Sequence, residues 1–150
     1  MPSAFDPAVT AVLEAARRAG RDTLYEHEVY RVLAALGLET PVHIFLRTPA
    51  ELTPAILARF PSRSVVLKAA APGLTHKQRA GGVRVVYKDL DFARYTAERM
   101  LQELAAAGWR PDGFLVAEHV AYSKDLGNEV LLGFRESEAF GPVISFSKGG

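Results

Sequence analysis

SVVLKAAAPGLTHKQRAGGVRVVY, Ser64 to Tyr87, is the stretch from which the fold can be read. Two apolar runs, Ser64–Ala69 and Val83–Tyr87, predict a pair of strands joined by a loop. Lys68 is a cation inside the first run, and the loop carries His76, Lys77 and Arg79 before closing on Gly81-Gly82. Cations beside paired glycines suit an oxyanion, because backbone without a Cβ lets N–H groups approach a phosphate. A histidine in that company can carry a proton, bind phosphate or act as a nucleophile. Each feature also has a plainer reading. Lys68 fits a lysine snorkelling from a strand end, His76 a solvated loop residue, and Gly81-Gly82 an ordinary hairpin turn. Their spacing and context favour phosphate contact for Lys68.

Upstream, Asp6-Pro7 supplies a capping carboxylate and a Pro at the first helical position. Val9, Val12, Leu13 and Ala16 follow at helical spacing and Gly20 stops the run, which predicts a peripheral helix within residues 1–22. Thr23 and Glu26 form a capping box for a second helix. Val29, Val32, Leu33 and Leu36 make its apolar stripe, and Gly37 its left-handed stop. His27 is expected on a solvated face beside two glutamates. Val42–Leu46 predicts a strand in which His43 is structural, and Thr48-Pro49-Ala50-Glu51 opens a third helix to about Phe60.

Downstream, Asp89 or Asp91 caps a long helix to about Ala107, with Phe92, Tyr95, Ala97, Met100, Leu101 and Leu104 on its buried side. Gly108 stops it, and Trp109 is expected over the core. Gly113–Val120 reads as a strand, 121–128 as a polar linker in which Tyr122, Lys124 and Asp125 are solvated, and Glu129–Phe134 as another strand. A turn at Glu136–Phe140 and a strand at Pro142–Phe146 follow. The alternation predicts an α/β (α+β) fold, a mixed sheet with packed helices. Repeats and heptads are absent from the pattern. An end at Gly149-Gly150, just after an apolar strand, suggests a fragment or subdomain.

Bulk properties narrow the class. A chain of 150 residues can bury a core without staples. Its net charge of +1 favours neither nucleic acid nor a membrane surface. With no cysteine, disulfides, thiolate metal sites and cysteine nucleophiles are excluded together. No apolar run approaches the roughly 20 residues that span a bilayer, and the start MPSAFDPAV lacks a signal-peptide pattern. A cytoplasmic protein is the expectation.

Four blocks occur in an order that resembles one family: LYEHEVYRVLAALGLETPV, SVVLKAAAPGLTHKQRAGGVRVV, GFLVAEHV and GNEVLLGFRESEAFGPVISFSKGG. From about Leu24 to Gly150 the chain resembles the ATP-grasp part of nucleoside-diphosphate-forming acyl-CoA synthetases, the ADP-forming acetate-CoA ligase β-subunit type, relatives of the succinyl-CoA synthetase β subunit. The resemblance implies residues 23–120 as the first nucleotide-binding subdomain and 121–150 as the start of the second. It implies reversible conversion of acyl-CoA and phosphate to acid and ATP or GTP, through an acyl phosphate and a phosphohistidine. ADP or GDP with Mg²⁺ would bind, with the Mg²⁺ ligands expected beyond residue 150. A CoA-binding, phosphohistidine-carrying α-type subunit or domain would be the partner, and a small carboxylic acid the product.

On the same basis Lys68 would contact the phosphates, and Gly81 and Gly82 would form the turn covering them. Glu118 and Val120 would lie in the segment that receives the base, and Glu129 near the ribose or phosphates. His76 would match the histidine phosphorylated as a second relay, on the nucleotide-binding subunit. Two departures stand out. The family usually has an acid shortly after the His-Lys pair, as in HKSD, where this chain reads HKQR. Lys148, in FSKGG, stands where a small or apolar residue is common. These departures keep two other readings in view: a non-catalytic or degenerate nucleotide-binding ATP-grasp module, and an acyl-phosphate-forming ATP-grasp ligase without a phosphohistidine.

Overall fold

The computed structural model describes residues 6–121 and 129–148. The expected solvated residues Tyr122, Lys124 and Asp125, and the terminal Gly149-Gly150, lie outside the described residues. The chain divides into two compact units, Met1–His119 and Val120–Gly150.

In the first unit, α1 (Pro7–Arg18) begins where Asp6 accepts the Ala8 N–H at 2.7 Å. Its Val9, Val12 and Ala16 are buried, and the helix packs on α2 (Glu26–Ala35). The expected Thr23/Glu26 capping box is not the one that forms. α2 starts two residues later, with Tyr25 as N-cap and the Glu28 carboxylate accepting the Tyr25 N–H at 2.7 Å. Glu26 is drawn instead toward cations of the sheet, described below.

β1 is His43–Leu46. The expected third helix breaks into a 3-10 turn, Pro49–Glu51, and a short α3, Pro54–Ala58. Pro54 causes the break: it forces Thr53 into extended backbone, and the Thr53 hydroxyl then accepts the Ile56 N–H to cap α3. β2 (Ser64–Ala70) and β3 (Val83–Tyr87) follow as an antiparallel pair. α4 (Leu90–Ala106) is capped by Asp89, which accepts the Phe92 N–H at 2.8 Å. β4 (Gly113–Glu118) closes the unit, ending before the expected Val120.

The sheet order is β1-β4-β2-β3, and each ladder is antiparallel. β3 and β4 therefore run in the same direction on either side of β2, with α4 as the crossover. One face, carrying Val65, Leu67, Ala69, Phe114 and Val116, packs on Ala93, Ala97, Met100 and Leu104 of α4. Phe92 and Tyr95, expected inside, are exposed. The small Ala93 and Ala97 let the helix approach the sheet, and this turns the neighbouring aromatics outward. Trp109 is partly buried against the same core.

The other face carries Lys68, Val66, Val83, Val85, Leu115, Ala117, His43 and Phe45, since directly paired residues share a side. α2 covers its β1 side. His27 stacks on Phe45 with ring centroids 4.3 Å apart, and Tyr30 meets His43 at 4.7 Å. His27 is thus packed rather than solvated, and burial pushes its pKa down. His43 is structural as expected, with Nδ1 2.9 Å from the Pro41 carbonyl. Toward β3 this face is open, leaving Val85 and Tyr87 exposed.

The second unit is an antiparallel hairpin of β5 (Val130–Ser137) and β6 (Gly141–Lys148). Both strands are longer than the apolar runs that predict them, because the pairing continues through Glu136 and Ser147.

Candidate functional site

Lys68 projects from the centre of β2 onto the open face, so an ammonium stands where the core pattern calls for an apolar group. Its Nζ lies 2.5 Å from Glu26 Oε1. Lys77 Nζ approaches the other oxygen of the same carboxylate at 3.7 Å, and the Tyr30 hydroxyl donates to Oε1 at 2.6 Å. Burial pushes the Glu26 carboxyl up, but the hydrogen bonds from Lys68 and Tyr30 outweigh it and hold the group below the ordinary carboxylate value. Burial and the Glu26 bond raise the Tyr30 phenol.

Glu26 and Lys77 border two adjoining clefts. One, about 440 Å³, is lined by Glu26, Thr75, His76, Lys77, Gln78 and Arg79. The other, about 400 Å³, runs between the start of α2 and Ala71–Thr75, with Glu26 and Lys77 again on its wall. His76 is exposed on the first cleft. Together these residues bring ammonium, guanidinium and imidazole groups to the lining of one cleft.

The glycine pair has a specific local job. Ala80 N–H donates to the His76 carbonyl, Gly82 N–H to that of Lys77 at 2.7 Å, and Gly81 N–H to that of Gln78 at 3.2 Å. This is a Schellman cap on a single helical turn, with Gly81 at φ +76° as the left-handed residue. At Gly82 a Cβ would lie 3.3 Å from the Lys77 carbonyl oxygen, a tight approach that favours glycine there. Both glycine N–H groups are therefore engaged within the loop in this conformation. The Arg84 guanidinium pins the loop exit, donating to the Gly81 carbonyl at 2.5 Å and pairing with Glu103 of α4 at 3.0 Å.

The remaining residues singled out by sequence lie elsewhere. Glu118 pairs with Val65, so its side chain is on the face opposite Lys68, where its carboxylate accepts the Val42 N–H at 3.2 Å. Val120 is exposed and begins the second unit; Glu129 is exposed, just before β5. The structure thus gathers Lys68, His76, Gly81 and Gly82 in one region of the first unit, with Glu118 turned away. Glu26, Tyr30 and Arg84 join that region without having been singled out. Glu26 had a visible signal, an acid one helical turn from Tyr30, but its partner Lys68 is distant in sequence. Among the described residues, no group of three or more His, Asp or Glu side chains is placed to hold a metal ion, and no helix is long and apolar enough to cross a membrane.

A second cluster lies on the same unit. Arg21 forms a two-point ion pair with Glu28, at 2.7 and 2.6 Å, and its guanidinium sits 4.2 Å over the Tyr25 ring. The Tyr25 hydroxyl donates to Asp112 at 2.5 Å. Every member is satisfied, so the cluster ties the start of α2 to the β4 approach.

Comparison with known proteins places the chain in a family. The chain is 29% identical over 142 residues to the β subunit of ADP-forming acetate–CoA ligase I from Pyrococcus furiosus, covering 93% of this chain and 58% of that subunit. It is 31% identical over 127 residues to ADP-forming acetate–CoA ligase II from Archaeoglobus fulgidus, covering 85% of this chain and 17% of that protein. A crystal structure from Pyrococcus horikoshii superposes with a TM-score of 0.83 at 26% identity, over 97% of this chain and 60% of that one. A dinucleotide-forming acetyl-coenzyme A synthetase from Candidatus Korarchaeum cryptofilum, solved with coenzyme A and Ca-AMPCP, shares the fold with a TM-score of 0.78 at 24% identity, over 93% of this chain and 59% of that one. The chain thus spans less than two thirds of the length of each of these relatives. With residues 15–150 matching the profile of the ATP-grasp domain, the chain belongs to the ATP-grasp domain family.

Proposed function

We propose that this chain is the nucleotide-binding portion of an NDP-forming acyl-CoA synthetase. The observation that carries the reading is the convergence of Lys68 and Lys77 on the Glu26 carboxylate, beside a cleft that Lys77, His76 and Arg79 line. Lys68, fixed on the central strand, is a point charge for the phosphates of ATP/ADP or GTP/GDP. Val85 and Tyr87 extend an open apolar surface on the same sheet face.

The reaction in this reading is the reversible conversion of acyl-CoA and phosphate to acid and nucleoside triphosphate. His76 is the relay. The acyl phosphate first phosphorylates the partner's histidine, its O–P bond breaking as the carboxylate leaves; a neutral His76 nitrogen then forms an N–P bond as the partner's N–P bond breaks, and transfer to the nucleoside diphosphate regenerates the imidazole. Lys77 and Arg79 offset the charge that gathers on the phosphoryl oxygens. Val120, Glu118 and Glu129 remain assigned to base and ribose contacts, Glu118 through its backbone because its side chain faces away from Lys68. Mg²⁺ would supply charge neutralisation on the phosphates, and this chain's described residues are assigned no part in holding it. The partner is a CoA-binding, phosphohistidine-type subunit or domain, and the protein works in the cytoplasm on a small carboxylic acid.

Arg79 favours a second reading, a nucleotide-binding module without the relay, because it places a cation where the family usually has an acid near the histidine. Two measurements separate them. Calorimetry with ADP and ATP in Mg²⁺ should show binding that falls at least about tenfold in Lys68→Ala, the order expected for a lost charge-assisted contact. Silence from the protein complete with its partner would sink the nucleotide reading. Incubation of that complete protein with labelled acyl phosphate should leave acid-labile phosphate on the chain, lost in His76→Asn; label that persists in the variant would remove the relay role.

A further inference from the structure

Glu26 has no part in the phosphate reading, yet it is the group that Lys68 touches. We propose that the Glu26 carboxylate is a built-in counter-anion that a nucleotide phosphate displaces from Lys68, so that Glu26 sets nucleotide affinity. The inference rests on Lys68 being the phosphate contact.

The geometry supports displacement rather than a permanent tie. A carboxylate oxygen and a phosphoryl oxygen make the same charge-assisted bond to an ammonium, so they compete for it. Glu26 Oε1 holds Lys68 at 2.5 Å, whereas Lys77 stands off at 3.7 Å, beyond hydrogen-bond length. Lys77 can therefore meet an incoming anion before Lys68 is released. The side chains of Lys68, Lys77 and Glu26 are 25%, 22% and 25% exposed, so water and anions reach the pair. Glu26 borders both clefts, and its carboxylate occupies the Lys68 ammonium that a phosphate would take.

Tyr30 gives the carboxylate somewhere to stay. Its hydroxyl donates to Oε1 from one turn along α2, a bond that lies within the helix and does not depend on Lys68. Once Lys68 turns to the phosphate, Glu26 keeps one donor and stays near the site as a negative charge. That residual charge opposes each further negative charge on the ligand. It weakens ATP most, ADP next and inorganic phosphate least.

A merely structural bridge between α2 and β2 predicts the opposite sign. Removing it would loosen Lys68 and weaken binding. The test is calorimetry with ADP, ATP and inorganic phosphate on the protein with its full chain and partner, comparing wild type, Glu26→Gln, Tyr30→Phe and Lys68→Ala. Glu26→Gln is neutral and keeps an oxygen for Tyr30. It should bind ADP and ATP about three- to tenfold more tightly than wild type, with a smaller gain for phosphate. Tyr30→Phe, which frees the carboxylate without removing its charge, should shift affinity by a smaller factor and serves if Glu26→Gln fails to fold. Unchanged or weaker nucleotide binding in a folded Glu26→Gln overturns the proposal while leaving the Lys68 reading intact. Full binding in Lys68→Ala, or none in wild type, removes the Lys68 reading and this inference with it.

Discussion

Glu28→Ala should be among the most damaging single changes in the first unit. Its carboxylate satisfies three donors: two N–H groups of Arg21 and the Tyr25 N–H that begins α2. The Arg21 and Glu28 side chains are only 12% and 9% exposed. Burial pushes the Glu28 carboxyl up, yet the Arg21 bond prevails and holds it below the ordinary value; the same bond raises Arg21. Removing one partner of a buried ion pair strands the other and costs about 3–5 kcal/mol. Losing a helix N-terminal acceptor adds about 1 kcal/mol. Against this, Arg21 keeps the Thr23 carbonyl at 3.0 Å and the face of the Tyr25 ring. A net loss of about 4 kcal/mol is expected, a large share of the ~5–15 kcal/mol that stabilises a domain. Glu28→Gln retains an oxygen for the Tyr25 N–H and should lose about 1 kcal/mol less. Urea unfolding followed by the fluorescence of Trp109, the single tryptophan, reads the unit that contains the cluster. A double-mutant cycle with Arg21→Ala should give a coupling above about 2 kcal/mol. A Glu28→Ala loss below about 1 kcal/mol would refute the argument and reduce the pair to the worth of a surface ion pair.

Gly113→Ala should be severe for a different reason. Gly113 has φ +151°, and a Cβ there would lie 2.3 Å from the Leu46 carbonyl oxygen, so β1 and β4 must part; a loss of at least about 2 kcal/mol in the same urea assay is expected, and wild-type stability would contradict it. Acid should weaken the fold in two stages. His27 has a folded pKa below its ordinary 6.5, so the stability tied to its neutral form begins to fall as pH drops below 6.5. Glu26 and Glu28, both below the ordinary 4.5, add stability above that pH and lose it as pH falls through their folded values. Thermal melts from pH 8 to 3 should show Tm falling in that order, and His27→Phe, which keeps the stack on Phe45, should remove the first stage; an unaltered profile in that variant would exclude His27.

The strand pair β2 and β3 was legible because each apolar run is punctuated at both ends, and the Asp6 and Asp89 caps because an acid stands directly before a helical stripe. Other features were set by partners remote in sequence. Thr23 and Glu26 satisfy a local capping pattern, but Lys68 attracts the Glu26 carboxylate away from the backbone, leaving Glu28 to take the cap. Phe92 and Tyr95 belong inside by hydrophobicity alone; the close approach allowed by Ala93 and Ala97 decides which stripe of α4 faces the sheet. At the site, Lys68 and His76 were visible as chemistry out of place in an apolar run and a loop. The role of Gly81-Gly82 was only half visible, because a pair of glycines suits both a phosphate turn and a Schellman cap. Glu118 failed to join Lys68 through strand parity, which shows only once the β2–β4 register is known.

The order β1-β4-β2-β3 also bears on synthesis. β2 can pair with β3 as soon as that hairpin leaves the ribosome, but its other edge, from Val65 to Ala70, waits for Gly113–Glu118. β1 waits as well, since β4 is its neighbour in the sheet. During that interval the nascent chain presents bare strand edges flanked by Val65, Val66 and Leu67, the kind of surface that captures other chains. Lys68 and the basic loop after it travel with that edge, and their charge serves the unfinished chain as a deterrent to association before any ligand arrives.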